Sequence, residues 1–231
     1  MVKSAATIVL VHGAWADGSS WNKVIPLLLA KNMRVIAVQM PLTSVEDDLA
    51  ATRRIIADTE GPIVLVGHSW GGMAVTQAGN DPKVTALVYV SAFAPDIGET
   101  GSSLIGAHPT PPALSTIVTD SAGFVYQTVD GMLKNIAPDL PLEEARTLAV
   151  TQGRLAGKAF GQSVTVAAWK TKPCWFIVTT EDRVVSAELQ TAESKRMEAK
   201  TTLIQSSHMS LLSHPSEVAA VIEDAAATVT I

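Results

Sequence analysis

A single cysteine, Cys174, is all the thiol this 231-residue chain carries, so an internal disulfide is excluded. It stands in the apolar run 173–178, where a cysteine reads as a buried strand residue rather than a nucleophile. N-x-S/T glycosylation sequons are absent as well. The N-terminal region has Lys3 and only a short apolar run over 7–11, without a small-residue cleavage signature, which points to a cytoplasmic protein. No apolar run approaches the roughly 20 residues that a membrane-spanning helix needs. Positive charge is scarce too: 17 basic against 22 acidic residues give a net charge of −5, and the basic residues are thinly spread. That leaves no electrostatic footprint for nucleic acid or for an anionic membrane surface, and small neutral partners fit better. Metal and nucleotide readings fail because no H-E-x-x-H, G-x-x-x-x-G-K-S/T or G-x-G-x-x-G occurs. A homodimer stays open.

Apolar residues, by contrast, make up 47% of the chain, enough for one large core without a second independent domain. Short β-branched runs at 7–11, 34–38, 62–66, 84–90, 175–180 and 201–205 alternate with helical stretches. Such alternation signals βαβ units and hence an α/β fold with a mostly parallel central sheet and helices on both faces. Ser19 or Ser20 is expected to cap a helix whose stripe is Trp21, Val24, Ile25, Leu28 and Leu29. A second helix over 45–59 carries Glu46, Asp47 and Asp48 at its positive N-terminal end. From 96 to 168 the character changes: prolines and glycines become dense, yet Phe124, Tyr126, Met132, Leu133, Leu148 and Phe160 give too much apolar content for a disordered linker. The expectation is a core of 1–95 and 169–231 with a cap of 96–168 inserted over the strand ends.

The stretch that organises the chemistry is Gly67-His68-Ser69-Trp70-Gly71-Gly72. An apolar strand precedes it and a helix follows, so Ser69 sits on a strand-to-helix turn with glycines where the backbone must pass close to itself. This is a nucleophile elbow, and the helix start supplies N–H groups that favour negative charge on a bound acyl group. Ser20-Trp21-Asn22-Lys23 also matches S-x-x-K, but the capping role accounts for the serine and the companion K-T-G motif is missing.

A serine hydroxyl needs a base to take its proton, and the base needs a third group to fix its tautomer. His208, after the last strand, is the histidine without a structural explanation; His12 and His68 flank turns, His108 lies in the cap and His214 precedes a helix-starting proline. Asp182, after the next-to-last strand, is the expected acid, with Glu181 and Asp96 as alternatives. The order Ser69, Asp182, His208 is that of α/β-hydrolases. In that fold the oxyanion hole uses the N–H after the nucleophile, here Trp70, and one from the loop after the first central strand, here Ala14. Trp15 and Trp21 read as packing residues and are left out of the catalytic set; Trp15, beside Ala14, and Met209 are candidates only for the substrate pocket.

His12-Gly13-Ala14-Trp15, the elbow, Thr180-Glu181-Asp182-Arg183 and Ser207-His208-Met209 with His214-Pro215 resemble the small α/β-hydrolase family of plant methylesterases, hydroxynitrile lyases and bacterial carboxylesterases. The likeness covers essentially the whole chain except the cap. It implies the α/β-hydrolase fold, a triad of Ser69, Asp182 and His208, an oxyanion hole at Ala14 and Trp70, and no cofactor, and it does not identify a substrate. The leading expectation is hydrolysis of a small-molecule ester, small to medium and largely apolar, through an acyl-enzyme on Ser69. In the lyases of this family a lysine follows the catalytic histidine and a threonine lies just after the first strand. Here those positions hold Met209 and Gly13. A lyase, a cofactor-free oxygenase and a slow ligand-binding homologue are the competing readings.

Overall fold

A computed structural model describes residues 6–229; Lys3 lies outside them. In chain order the first half runs β1 (Thr7–Val11), α1 (Ile25–Ala30), β2 (Arg34–Ala37), α2 (Val45–Asp58), β3 (Ile63–His68), α3 (Gly71–Ala78) and β4 (Val84–Val90). Next come α4 (Gly101–Gly106), β5 (Ile117–Thr119), β6 (Phe124–Gln127), α5 (Val129–Gly131) running into a π turn (Met132–Ile136), α6 (Leu142–Thr151) and β7 (Leu155–Ala156). The chain finishes with β8 (Cys174–Thr179), α7 (Ala187–Arg196), β9 (Lys200–Ile204), α8 (Ser210–Ser213) and α9 (Pro215–Ala227).

Six strands form the central sheet in the order β2-β1-β3-β4-β8-β9, every pairing parallel. All residues of β1, β3 and β8, and all but Thr85 of β4, are buried, which is what covering both faces of a parallel sheet requires. Helix α1 packs on α9 and α2 on α3, giving the two layers. Cys174 is buried at the start of β8, and burial pushes its thiol up to about 12, which keeps it an unreactive thiol.

Between β4 and β8 the chain leaves the sheet and builds a small antiparallel sheet, β5-β6-β7, with helices α4 to α6 around it. This insertion is tied back to the main body by Trp15 Nε1 donating to Val125 O (3.1 Å), Ala156 N to Leu42 O (2.8 Å) and Ala113 N to Arg183 O (3.0 Å).

One helix departs from expectation. Asp17, not Ser19 or Ser20, caps a 3-10 turn over Gly18–Trp21 by accepting from Ser19 N at 2.6 Å, and α1 begins separately at Ile25. Pro26 is the reason: its ring and missing N–H forbid a helix continuous from the serines but suit a first turn. Leu29, expected on the buried stripe, is left 52% exposed.

The first turn of α3 must lie close to the segment that follows β4 for the elbow to form, and Gly72 permits this. A Cβ there would fall 1.9 Å from the carbonyl oxygen of Phe93. Gly72→Ala is therefore expected to destabilise the fold by about 1–3 kcal/mol or more, as overpacking against backbone does. Thermal unfolding checks this, and an unchanged melting temperature would show that the Phe93 backbone can retreat.

Candidate active site

The C-terminal ends of β1, β3, β4, β8 and β9 deliver the residues that matter, as parallel sheets do for ligands. After β3 the backbone turns through Ser69 at φ +52°, a left-handed conformation that costs about 1–3 kcal/mol for a residue with a Cβ. Surrounding bonds hold it there: Ser69 N donates to Val90 O (3.1 Å), and Ser69 O accepts from Gly72 N (3.0 Å) and Phe93 N (3.2 Å).

The loop after β1 lies directly against this serine, since a Cβ on Gly13 would come within 2.8 Å of Ser69 Cβ. His12 fixes that loop. Its Nε2 accepts from Met40 N at 2.9 Å, so Nδ1 carries the proton and donates to Gly13 O at 2.8 Å. Burial lowers its pKa and favours this neutral form. The next N–H, of Ala14, and that of Trp70 have no acceptor among the described residues. Both residues line one narrow cavity with Ser69 and Trp15, and Phe93, Ile105, Ala113, Leu114, Phe160 and Val184 complete its wall. The wall is apolar and the space small: water centres have about 20 Å³, the room of one or two waters. A wider groove of about 710 Å³, lined by Leu133, Lys134, Glu181, Arg183 and Glu188 among others, lies open on the surface and contains neither Ser69 nor the two N–H groups.

His208 follows β9 and is buried. Its Nδ1–H donates to Asp182 Oδ2 at 2.7 Å. Asp182 is itself braced: Oδ1 accepts from Val184 N (2.7 Å) and Val185 N (3.0 Å), and Oδ2 from Gln190 Nε2 (2.9 Å) and Thr179 Oγ1 (3.0 Å). Glu181 instead accepts from Gln205 at 2.8 Å on the surface, and Asp96 pairs with Lys170 at 2.6 Å. From the elbow, His68 Nε2–H donates to the His208 carbonyl at 2.9 Å, with the two rings 4.7 Å apart. Desolvation holds the pKa of the His68 ring well below that of a free imidazole, so it stays neutral beside His208. Met209 is buried, accepts from Leu212 N and Ser213 N through its carbonyl, and is not among the residues lining the cavity.

Sequence reading missed three supports. Gln190 is buried in mid-helix and bonds Thr179, Asp182 and Val185, which nothing in its neighbourhood announces. His68 is a buttress for His208 as well as a turn residue. Asp48, read as one of three helix-start acids, is buried, with Oδ1 accepting from Leu42 N (2.7 Å) and Oδ2 from the Trp70 indole (2.9 Å). Its spacing of four from Thr52 and eight from Ile56, both buried, carried that signal. Burial pushes this carboxyl up to about 6, against the pull of its bonds to Trp70 and Leu42.

A family model described as the alpha/beta hydrolase family matches residues 8–221. The chain belongs to that family. Among hydrolases of the family, a probable hydrolase R7 from a Phoma species is 25% identical over 241 residues, covering 95% of this chain and 97% of its own. Methylesterase 2 of Arabidopsis thaliana is 27% identical over 217 residues, 79% of this chain and 80% of its own. The crystal structure of a pyrethroid hydrolase from Sphingobium faniae JZ-2 superposes with a TM-score of 0.82 at 22% identity, over 97% of this chain and 98% of that one, and so shares the α/β-hydrolase fold.

Proposed function

We propose that this α/β-hydrolase cleaves carboxylic esters through an acyl-enzyme on Ser69. The observation that carries the reading is the meeting, in one cavity, of Ser69 with the two acceptor-less N–H groups of Ala14 and Trp70. His208 takes the Ser69 proton as Oγ attacks the ester carbonyl, and the N–H pair receives the charge that develops on its oxygen. Collapse of that intermediate breaks the C–O bond, with His208 returning the proton to the departing alcohol. Water, activated by the same histidine, then releases the acid. Asp182 keeps Nδ1 protonated throughout, leaving Nε2 free to accept. Names of relatives such as the methylesterase and the pyrethroid hydrolase agree with ester chemistry.

The wall of the cavity favours small to medium, largely apolar substrates, with the Trp70, Phe93 and Phe160 rings facing one another around it. Residues 96–168 act as a cap that contributes Ile105, Ala113, Leu114 and Phe160 to the wall of this narrow cavity.

Cyanohydrin cleavage makes different demands: a positive group near the leaving cyanide and a donor for the substrate hydroxyl. Met209 and Gly13 supply neither, so cyanide would leave against apolar surroundings at a desolvation cost. A panel of p-nitrophenyl and methyl esters of graded acyl size, run beside mandelonitrile, tests the reading. Turnover of the shorter apolar esters with little or no cyanide release is expected. Efficient cyanide release with every ester untouched would overturn it, and inactivity on both would favour a ligand-binding protein.

A further inference from the structure

His208 is held by two groups already described: Asp182 on Nδ1 and His68 on its carbonyl. A third hold comes from the insertion. Asp139, in the turn between the π turn and α6, reaches from an exposed position to the two buried serines that immediately precede the histidine. Its Oδ2 accepts from Ser207 N and Ser206 Oγ, both at 3.0 Å, and its Oδ1 accepts from Ser207 Oγ in a short bond. Ser207 Oγ also lies 3.3 Å from Ile136 O of the same insertion. Ser206 Oγ continues to Ser213 Oγ (2.9 Å), which meets His214 Nδ1 (2.9 Å) at the head of α9. Burial would raise the Asp139 carboxyl, but these serine bonds outweigh it and hold the group below the usual carboxylate range. The insertion grips the acid loop as well, through Ala113 N on Arg183 O (3.0 Å) and Arg183 Nη1 on Lys134 O (3.3 Å).

We propose that Asp139 is a positioning residue: its carboxylate fixes the Ser206-Ser207 backbone so that His208 is correctly presented only while the cap is seated. The proposal rests on the reading of His208 as the base. Physically, the insertion both walls the cavity beside Ser69 and, through one carboxylate, supports the loop of the base, so enclosure of substrate and proton transfer are joined. When the cap lifts, the Ser207 hydroxyl and backbone N–H lose their acceptors, Ser206 Oγ keeps only Ser207 O and Ser213 Oγ, and the loop that carries the imidazole is freed. Chemistry then waits for closure over bound substrate.

Asp139→Ala and Asp139→Asn, compared with Ser207→Ala and the double variant, test this. Proper folding is checked by circular dichroism, and Asp139→Glu serves where the alanine variant does not fold. On a short p-nitrophenyl ester, kcat should fall by about 10–100-fold, the scale of an ångström-sized misplacement, while KM changes little. The far-downfield proton resonance of the His208 Nδ1–Asp182 bond should broaden or vanish in Asp139→Ala. The double variant should be no worse than the worse single, because both remove one link. Unchanged kcat with the resonance intact, or strictly additive losses, would overturn the proposal. The resonance does not depend on turnover: if Ser69→Ala kept full activity the acyl-enzyme reading would fail, yet the proton would still report whether Asp139 positions His208.

Discussion

Ser69→Ala is expected to lower kcat on the best ester of the panel by about six orders of magnitude, because members of a nucleophile–base–acid unit fail together rather than by shares. The residual rate, on the order of 10³–10⁴ over water, would come from the N–H pair and from binding alone. Stability should move the other way or not at all. Ser69 is held at φ +52°, a conformation that alanine tolerates no better, and the bonds that hold it are all made by backbone atoms that the substitution retains. An intact melting temperature with abolished turnover therefore separates loss of chemistry from loss of fold. An organophosphonate should also add covalently to Ser69 and to no other residue. An adduct mapped elsewhere, or full activity in Ser69→Ala, would end the acyl-enzyme reading.

Much of this arrangement was legible in the sequence because it lives in local chemistry. Strands 7–11 and 84–90 announced themselves as short runs rich in β-branched residues, and their observed bounds, Thr7–Val11 and Val84–Val90, coincide with those runs. The elbow was readable because glycines at close backbone approaches leave a fixed mark, and the same holds for Pro215 at the head of α9. What the sequence did not yield are contacts between distant segments. The choice of Asp182 over its neighbour Glu181 depends on which carboxylate the β8 turn aims at β9, and the structure places Asp182 against His208. Gln190 and Asp139 look like ordinary surface-helix and turn residues until the chain folds them onto Asp182 and Ser207, 8 and 68 residues away. Met209, named for the pocket because it adjoins His208, is buried and is not among the residues that line the cavity with Ser69. Pro26 overrode a helical stripe that was otherwise well formed, because one missing N–H outweighs several well-spaced apolar residues.

Asp182→Asn is expected to cut kcat by about four orders of magnitude while leaving the fold in place. The amide is isosteric with the carboxylate, and its oxygen can still accept from Val184 N and Val185 N, bonds of 2.7 and 3.0 Å that shape the loop. Its nitrogen then occupies the position of Oδ2, where His208 Nδ1–H now donates at 2.7 Å. Two donors cannot share that contact, so the imidazole proton moves to Nε2 and the ring presents a donor to Ser69 where it must present an acceptor. The imidazolium formed during attack also loses its buried counter-charge, since the Asp182 side chain is fully enclosed and its other partners, Gln190 and Thr179, are uncharged. Gln190 loses Asp182 as an acceptor but keeps Thr179 N on its Oε1 (2.9 Å) and Val185 O as acceptor for its Nε2 (2.6 Å), which is why a large loss of stability is not expected. The controls are Glu181→Gln and Asp96→Asn. Each removes a carboxylate whose recorded partner, Gln205 or Lys170, lies on the surface, and each should retain near wild-type kcat. Damage of four decades in either control, with Asp182→Asn almost unaffected, would move the acid away from β8 and break the link between the 2.7 Å contact and catalysis.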